Sequence, residues 1–261
     1  MIQLADFNPR ISSHVTAASP ILKHLLGPSA FANLHKEEKE RLQSARWRVK
    51  SACKGFSLAY QGEDRNSVSV LLSGWAFRHR TLPDGKRQIL DFIFAGALVG
   101  FGVGNTNHYG VETVTNCTLA TLPIGEFRRL IAVSPALAAQ IVESISDSEI
   151  RAYEHIANLG RRSARERIAA FIAELVSRAQ RKKLDGRGYS IDLPVTQTMI
   201  GDALGLSNEH VCRTLGKLAQ RGVVEIDGCT LKVLDWTALA REAGTDVPCP
   251  CLHDSMLPAA A

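Results

Sequence analysis

Residues 196–213 read TQTMIGDALGLSNEHVCR, and the order of caps, turn and apolar positions within them decides how the whole chain is read. Thr196 is a good N-cap for a helix over Gln197 to Leu204. Gly205 then supplies a tight turn, and Ser207 caps a second helix from Asn208 to Arg221. Ile200, Ala203, Leu204, Leu206, Val211, Leu215 and Leu218 fall on one inner face. The second helix is left to present Asn208, Glu209, Cys212 and Arg213 near its N-terminus, with Lys217 following. A helix pair divided in this way is the layout in which the second helix enters the major groove and its first residues reach base edges. Arg213 carries the guanidinium that pairs bidentately with guanine O6 and N7. Glu209, four residues earlier on the same face, accepts from a cytosine amino group or holds that guanidinium in position. Thr196, Gln197 and His210 suit phosphate contacts at helix N-termini. An ordinary helical hairpin with an exposed ion pair would share the Glu–Arg spacing alone. Caps, turn and apolar interior together set the segment apart.

Working outward, Val223 to Ile226 and Thr230 to Val233 flank Asp227-Gly228, a hairpin signal of the kind that forms the wing of winged helices. Upstream, Leu184 to Tyr189 with its two glycines reads as a linker, and Ala164 to Lys182 as a further helix. Nine Arg or Lys residues against three acids lie between Arg161 and Arg187, an excess larger than the net +5 of the whole chain. That half would attract a phosphate backbone, although a solvated helix face would look the same.

Ser134-Pro135 opens a long helix, Ser as a cap and Pro in the first turn, that ends or hinges at Gly160. Two heptad seams can be drawn on it. One runs Ala138, Ile141, Ile145, Ser148, Ala152, His155, Leu159; the other Val142, Ile145, Glu149, Ala152, Ile156, Leu159. Either supports a helix pair, with Ile141, Val142, Ile145, Ala152, Ile156 and Leu159 as dimerisation candidates. An amphipathic helix packed on its own domain is the alternative. From Arg46 to Pro123 the texture is β, with short runs at Ser67 to Leu72, Trp75 to Thr81, Gln88 to Phe94, Gly110 to Thr115 and Leu119 to Leu122. Pro83-Asp84-Gly85 marks a turn among them. A small sandwich or barrel is expected there. Leu22 to Ala45 reads as helix in pieces, and the first twenty residues lack periodicity.

The 261 residues, 45% hydrophobic and 22% charged, have the composition of a soluble globular protein and length enough for two modest domains or one large one. No run approaches the roughly 18 apolar residues of a membrane span, and the start shows no export signal, so no membrane partner and a cytoplasmic location are expected. Six scattered cysteines without Cys-x-x-Cys spacing are expected as free thiols. There is no glycine-rich phosphate loop, catalytic metal cluster or nucleophile elbow, which argues against an enzyme.

The order of β-rich segment, long helix and winged helix-turn-helix resembles the Crp/Fnr superfamily of transcription regulators over about Leu22 to Leu234. The resemblance is carried by Gly74 to Gly100 (GWAFRHRTLPDGKRQILDFIFAGALVG), Arg165 to Leu175 (RERIAAFIAEL) and Thr196 to Arg213. It implies an α+β chain: an arm (1–20), a cyclic-nucleotide-binding-like β-roll (21–133), a dimerisation helix (134–160), a winged helix-turn-helix (161–236) and a tail (237–261). It also implies a homodimer on double-stranded DNA, with RNA polymerase as a partner. In the family motif Glu, Ser and Arg read the half-site; Glu209 and Arg213 match it, and Cys212 stands in the Ser position. Asn208 occupies the place where the cyclic-AMP branch usually has Arg, so the site resembles the Fnr and FixK branches, whose half-sites resemble TTGAT or TTG.

No cofactor and no metal site is expected. Asn107 and His108 stand where the cyclic-AMP cassette has Arg-Ser, so a cyclic phosphate lacks its charge partner. Met1 to Ala52 contains no Cys, which removes the Fnr-type cluster. His79 and His108 are the haem candidates, with surface histidines as the ordinary explanation. A β-roll that binds a haem, nucleotide or metabolite and gates DNA binding is the alternative function. Cys249-Pro250-Cys251 with His253 lacks a fourth metal ligand and is expected to be an incidental tail. Cys212 is the redox candidate, because an oxidised sulfur there would oppose phosphates and base edges; a tolerated near-isostere of Ser is the plain alternative.

Overall fold

The structure, a computed structural model, describes residues 18–27, 31–179, 181–184 and 188–244. The Cys249-Pro250-Cys251 stretch and most of the N-terminal arm lie outside them. The described parts of 1–81 with 91–147 form one unit, and those of 82–90 with 148–261 a second.

The first unit contains β1 (Arg48–Ala52), β2 (Ser57–Ala59), β3 (Ser67–Ser73), β4 (Ala76–Thr81), β5 (Arg87–Ile93), β6 (Leu98–Val99), β7 (Gly110–Thr113) and β8 (Cys117–Pro123), β5 shared with the second. They form two four-stranded sheets, ordered β1-β8-β3-β6 and β2-β7-β4-β5. The period of two in β3 and β8 explains why these two strands bury side chains on both faces of the first sheet. Leu71, Cys117 and Leu119 face Ala76, Ile93 and Val111 of the other sheet. Val68, Val70, Ala120 and Leu122 turn the other way, toward the helices. There they meet Ile21 and Leu22 of α1 (Ala18–Leu26), Leu42 of α2 (Lys36–Gln43), and Phe127 and Leu130 of α3 (Ile124–Val133). Between the sheets, burial pushes the Cys117 thiol above its ordinary value, away from the reactive thiolate.

Helix α4 spans Pro135–Arg161. Ser134 caps it by accepting from the Leu137 amide at 3.1 Å. Ser134 donates its hydroxyl to Glu38 Oε1, which also accepts from the Ala136 amide at 3.3 Å. Ile141 is 5% exposed and packs in the first unit's core, whereas Val142, one residue on, is 62% exposed.

The second unit is built on α5 (Ala164–Arg178), α6 (Gln197–Leu204), α7 (Asn208–Gln220) and α8 (Trp236–Ala243). Its sheet has the order β11-β12-β10-β9, from β9 (Arg181–Lys183), β10 (Tyr189–Asp192), β11 (Val224–Asp227) and β12 (Thr230–Val233). The helix expected to run to Lys182 instead stops at Arg178: Ala179 is extended, and Arg181–Lys183 pairs with β10. Trp236, Leu239 and Ala243 of α8 are buried, so the folded unit extends beyond residue 236. Ser163 starts α5 with a capping box: its hydroxyl accepts from the Glu166 amide at 3.4 Å, and its own amide donates to Glu166 Oε2 at 2.7 Å. The hydrogen bonds from Ser163 hold the Glu166 carboxyl below its ordinary value.

Ser163→Ala should cost about 0.5–2 kcal/mol of stability at neutral pH. Because the Glu166 pKa is lowered on folding, its contribution is present above the ordinary carboxylate value and is lost as pH falls through the folded one. The difference between wild type and Ser163→Ala in thermal denaturation should therefore shrink in acid. An unchanged difference from neutral pH to pH 3 would contradict the capping role.

Candidate nucleic-acid interface

Helix α6 begins where the Thr196 hydroxyl accepts from the Met199 amide at 3.2 Å, and ends at Gly205, whose φ of 64° is the left-handed turn. Ser207 opens α7 by accepting from the His210 amide at 3.3 Å. The crossing between them is tight at Gly201: a Cβ there would lie 2.5 Å from the Leu206 carbonyl oxygen. The Leu206 amide donates back to the Gly201 carbonyl at 3.1 Å. Asn208 Nδ2 donates to Thr198 Oγ1 at 3.1 Å, a second tie across the turn.

On α7 the residues Val211, Thr214, Leu215 and Leu218 are buried, the i, i+3, i+4, i+7 stripe of a helix docked by one face. The other face is solvent-exposed and holds Asn208, Glu209, His210, Cys212, Arg213 and Lys217; Thr196 and Gln197 are exposed at the start of α6. Arg213 Nη2 pairs with Glu209 Oε1 one turn earlier. The ion pair ties the guanidinium to the preceding turn and leaves both side chains largely exposed. Cys212 lies on the same exposed face, one turn after Glu209, as a free thiol. Beyond α7, β11 and β12 pair from Val224↔Val233 to Asp227↔Thr230, and Lys232 binds Glu225 at 2.6 Å.

The supports of this surface were not among the residues singled out from the sequence. Arg167 of α5 donates from Nη1 to the Leu204 carbonyl at 3.3 Å, at the C-terminus of α6. Arg87 pairs with Asp202 at 2.9 Å, and Gln88 Nε2 donates to the Ala203 carbonyl at 3.0 Å, both within the second unit. Only Gly201 carried a signal, since an isolated glycine inside a helical pattern usually has a packing reason. The basic run also looks different in place. Arg165 pairs with Glu242 at 3.1 Å and Arg178 with Glu174 at 2.6 Å, so part of that charge is already matched by acids of the same unit.

In the first unit His108 is exposed and His79 half-buried, while Asn107 Oδ1 accepts from Arg65 Nε at 3.4 Å. Among the described residues no group of three or more His, Cys, Asp or Glu is placed to hold a metal ion. Among the same residues no single helix is long and apolar enough to cross a membrane.

Known proteins share this arrangement. Residues 166–242 match the Crp-like helix-turn-helix domain, and residues 49–134 the cyclic nucleotide-binding domain. The chain is 30% identical over 226 residues to the transcriptional activatory protein AadR of Rhodopseudomonas palustris, covering 87% of this chain and 90% of that one. It is 34% identical over 168 residues to the nitrogen fixation regulation protein FixK of Bradyrhizobium diazoefficiens, covering 63% and 69%. The solved structure of FixK2 from Bradyrhizobium japonicum has a TM-score of 0.68 at 23% identity, over 75% of this chain and 96% of that one, a likeness of fold. With both domains matched in order, and with AadR related over most of both chains, the chain belongs to the Crp/Fnr family of transcription regulators.

Proposed function

We propose that the chain is a cytoplasmic, sequence-specific DNA-binding regulator, not an enzyme, that acts as a two-fold homodimer on a palindromic TTG(AT)-like site. The observation that carries this is the outer face of α7, where Glu209 and Arg213 are paired, exposed and one turn from a capped helix N-terminus. Arg213 reads a guanine, and Glu209 orients it or accepts from a cytosine. Thr196, Gln197, Asn208, His210 and Lys217 meet the backbone around them. RNA polymerase is the further partner of a regulator of this kind.

For the dimer, the support is the exposed stripe on α4. Val142, Ile145 and Ile156 are 62%, 54% and 64% exposed, Ala152 is exposed and Leu159 half-buried. These follow the second of the two seams; Ile141 is engaged by its own core. Two such helices packed along the stripe remove those side chains from water, and two reading heads then fit half-sites about 34–36 Å apart. A cyclic nucleotide does not fit in the usual way. Asn107 is already an acceptor for Arg65 and His108 points to solvent, so neither supplies the charge that a cyclic phosphate needs. No built-in cofactor is needed for the reading head to work.

Arg213→Ala should lose about 1–3 kcal/mol of operator binding and relax preference at one G·C pair, read by fluorescence anisotropy on an operator series. Lys217→Ala should weaken all sequences alike and lower the salt slope by about one. An unchanged ranking of operators for Arg213→Ala would refute the assignment. Wild-type chain should sediment as a dimer, and Val142→Asp with Ile156→Asp as a monomer that binds palindromes poorly. A wild-type monomer, alone and on operator, would rule the dimer out. Cys212 makes the same face redox-sensitive. Peroxide transfers an oxygen to the thiolate, breaking its O–O bond and leaving hydroxide, and the oxidised sulfur then faces phosphate. Operator binding of the wild type should fall on oxidation, while Cys212→Ser binds and resists; equal losses in the two would remove the role from Cys212.

A further inference from the structure

A single carboxylate in the second unit joins the far end of α7 to the first turn of α5. Arg221 is the C-cap of α7, and its Nη1 donates to Glu242 Oε1 at 2.8 Å. The other oxygen of that carboxylate, Oε2, meets Arg165 Nε of α5 at 3.1 Å. The second contact is an ion pair only: Oε2 is buried and, among the described residues, accepts no hydrogen bond. The Glu242 side chain is 17% exposed, those of Arg165 and Arg221 48% and 52%. An ion pair between two exposed side chains contributes little, because water screens it and both side chains have to be ordered. A carboxylate largely withdrawn from water between two guanidinium groups is different. Removing its charge leaves two cations side by side with nothing between them.

Glu242 is a fixed point because α8 is itself held at both ends. Asp235 caps α8 by accepting from the Thr237 and Ala238 amides at 2.8 and 3.2 Å. Trp236, Leu239 and Ala243 are buried, and the Trp236 ring meets Tyr189 of β10 edge-on, with 5.8 Å between centroids. At the other end Gly244 turns back with a φ of 61°. A Cβ there would lie 3.5 Å from Glu166 Oε1, so α8 ends against the first turn of α5. The signs also suit the helix ends, an acid at the N-terminus of α5 and a cation at the C-terminus of α7. The crossing at Gly201 and Leu206 fixes only the beginning of α7, and a swing about it would tilt Arg213 and Lys217. We propose that Glu242 is a positioning residue for base recognition. By bridging Arg221 and Arg165 it holds α7 at a set angle to α5, so that Arg213 meets its guanine in line. This rests on α7 being the reading helix, and Glu242 acts through α7 rather than by touching DNA.

The test uses the full chain, an operator series with each base pair changed in turn, and thermal denaturation of every variant. Glu242→Gln keeps the volume and an acceptor oxygen but removes the charge. Its discrimination, operator affinity over that of the changed sites, should fall by about fivefold or more at temperatures where both proteins are folded. The salt slope should stay the same, because no phosphate contact is lost. Arg221→Gln should lower discrimination to a similar degree, and the double variant no further, since the two residues act through one contact. Being a change at an exposed side chain, Arg221→Gln decides the matter if Glu242→Gln does not fold. A lower Tm with unchanged discrimination would make Glu242 purely structural and overturn the proposal. So would a loss in Arg221→Gln that is equal for all sequences and lowers the salt slope, which marks a phosphate contact. Arg213→Ala in the same series keeps the two ideas apart. If it alone changes the ranking, α7 reads DNA without help from Glu242. If Glu242→Gln changes discrimination and Arg213→Ala does not, the positioning stands and the base contact belongs to another residue of α7.

Discussion

The reading surface depends on how closely α6 can lie against the turn that leads into α7. Gly201 sets that distance, because any side chain there would collide with the Leu206 carbonyl, 2.5 Å from an added Cβ. With the crossing this tight, Leu206 returns its amide to Gly201 and Asn208 reaches Thr198. The direction of α7 follows from those contacts. Its rotation about its own axis follows from burial of Val211, Thr214, Leu215 and Leu218. At 100° per residue, docking that stripe leaves Glu209, Cys212, Arg213 and Lys217 together on the opposite side. The chemistry of the exposed face is therefore determined by apolar residues that never meet a ligand.

This explains why the helix-turn-helix was legible from residues alone and other parts were not. Caps and periodicity act locally, and Thr196, Gly205 and Ser207 all do in the structure what their residue types favour. Helix α3 was missed because Gly125 and the β-branched Ile124, Ile131 and Val133 dilute its signal; packing of Phe127 and Leu130 against the sheet makes it a helix. Helix α8 was missed for a similar reason: beyond Trp236 its residues, Leu239 among them, read as a tail until α5 is present to receive them. The two seams on α4 were equivalent on paper because Ile141 and Val142 are both apolar and adjacent. Only the tertiary core separates them, by taking Ile141 and leaving Val142.

Charge was the least legible quantity. Between Arg161 and Arg187 the basic excess suggests a surface for phosphate, yet Arg165 and Arg178 face carboxylates and Arg167 braces a helix C-terminus. Arg65, by contrast, attracts no notice in the sequence, since one arginine beside Glu63 and Asp64 looks locally neutralised. Its burial, with Nη1 left without a hydrogen-bond partner, appears only in the fold. Counting charges along a chain measures neither which are desolvated nor which are already paired.

The sheet that contains β3 and β8 is covered on both faces, by the opposing sheet and by the helices. Its central strands have no side open to water, and their amides are bonded to neighbours along the register from Ser67↔Pro123 to Leu71↔Leu119. Local fluctuations that open the short strand β2 or the wing hairpin need not disturb them. Amide protons of β3 and β8 would then exchange with solvent only when the whole unit unfolds, so their exchange rates report the global stability of that unit directly.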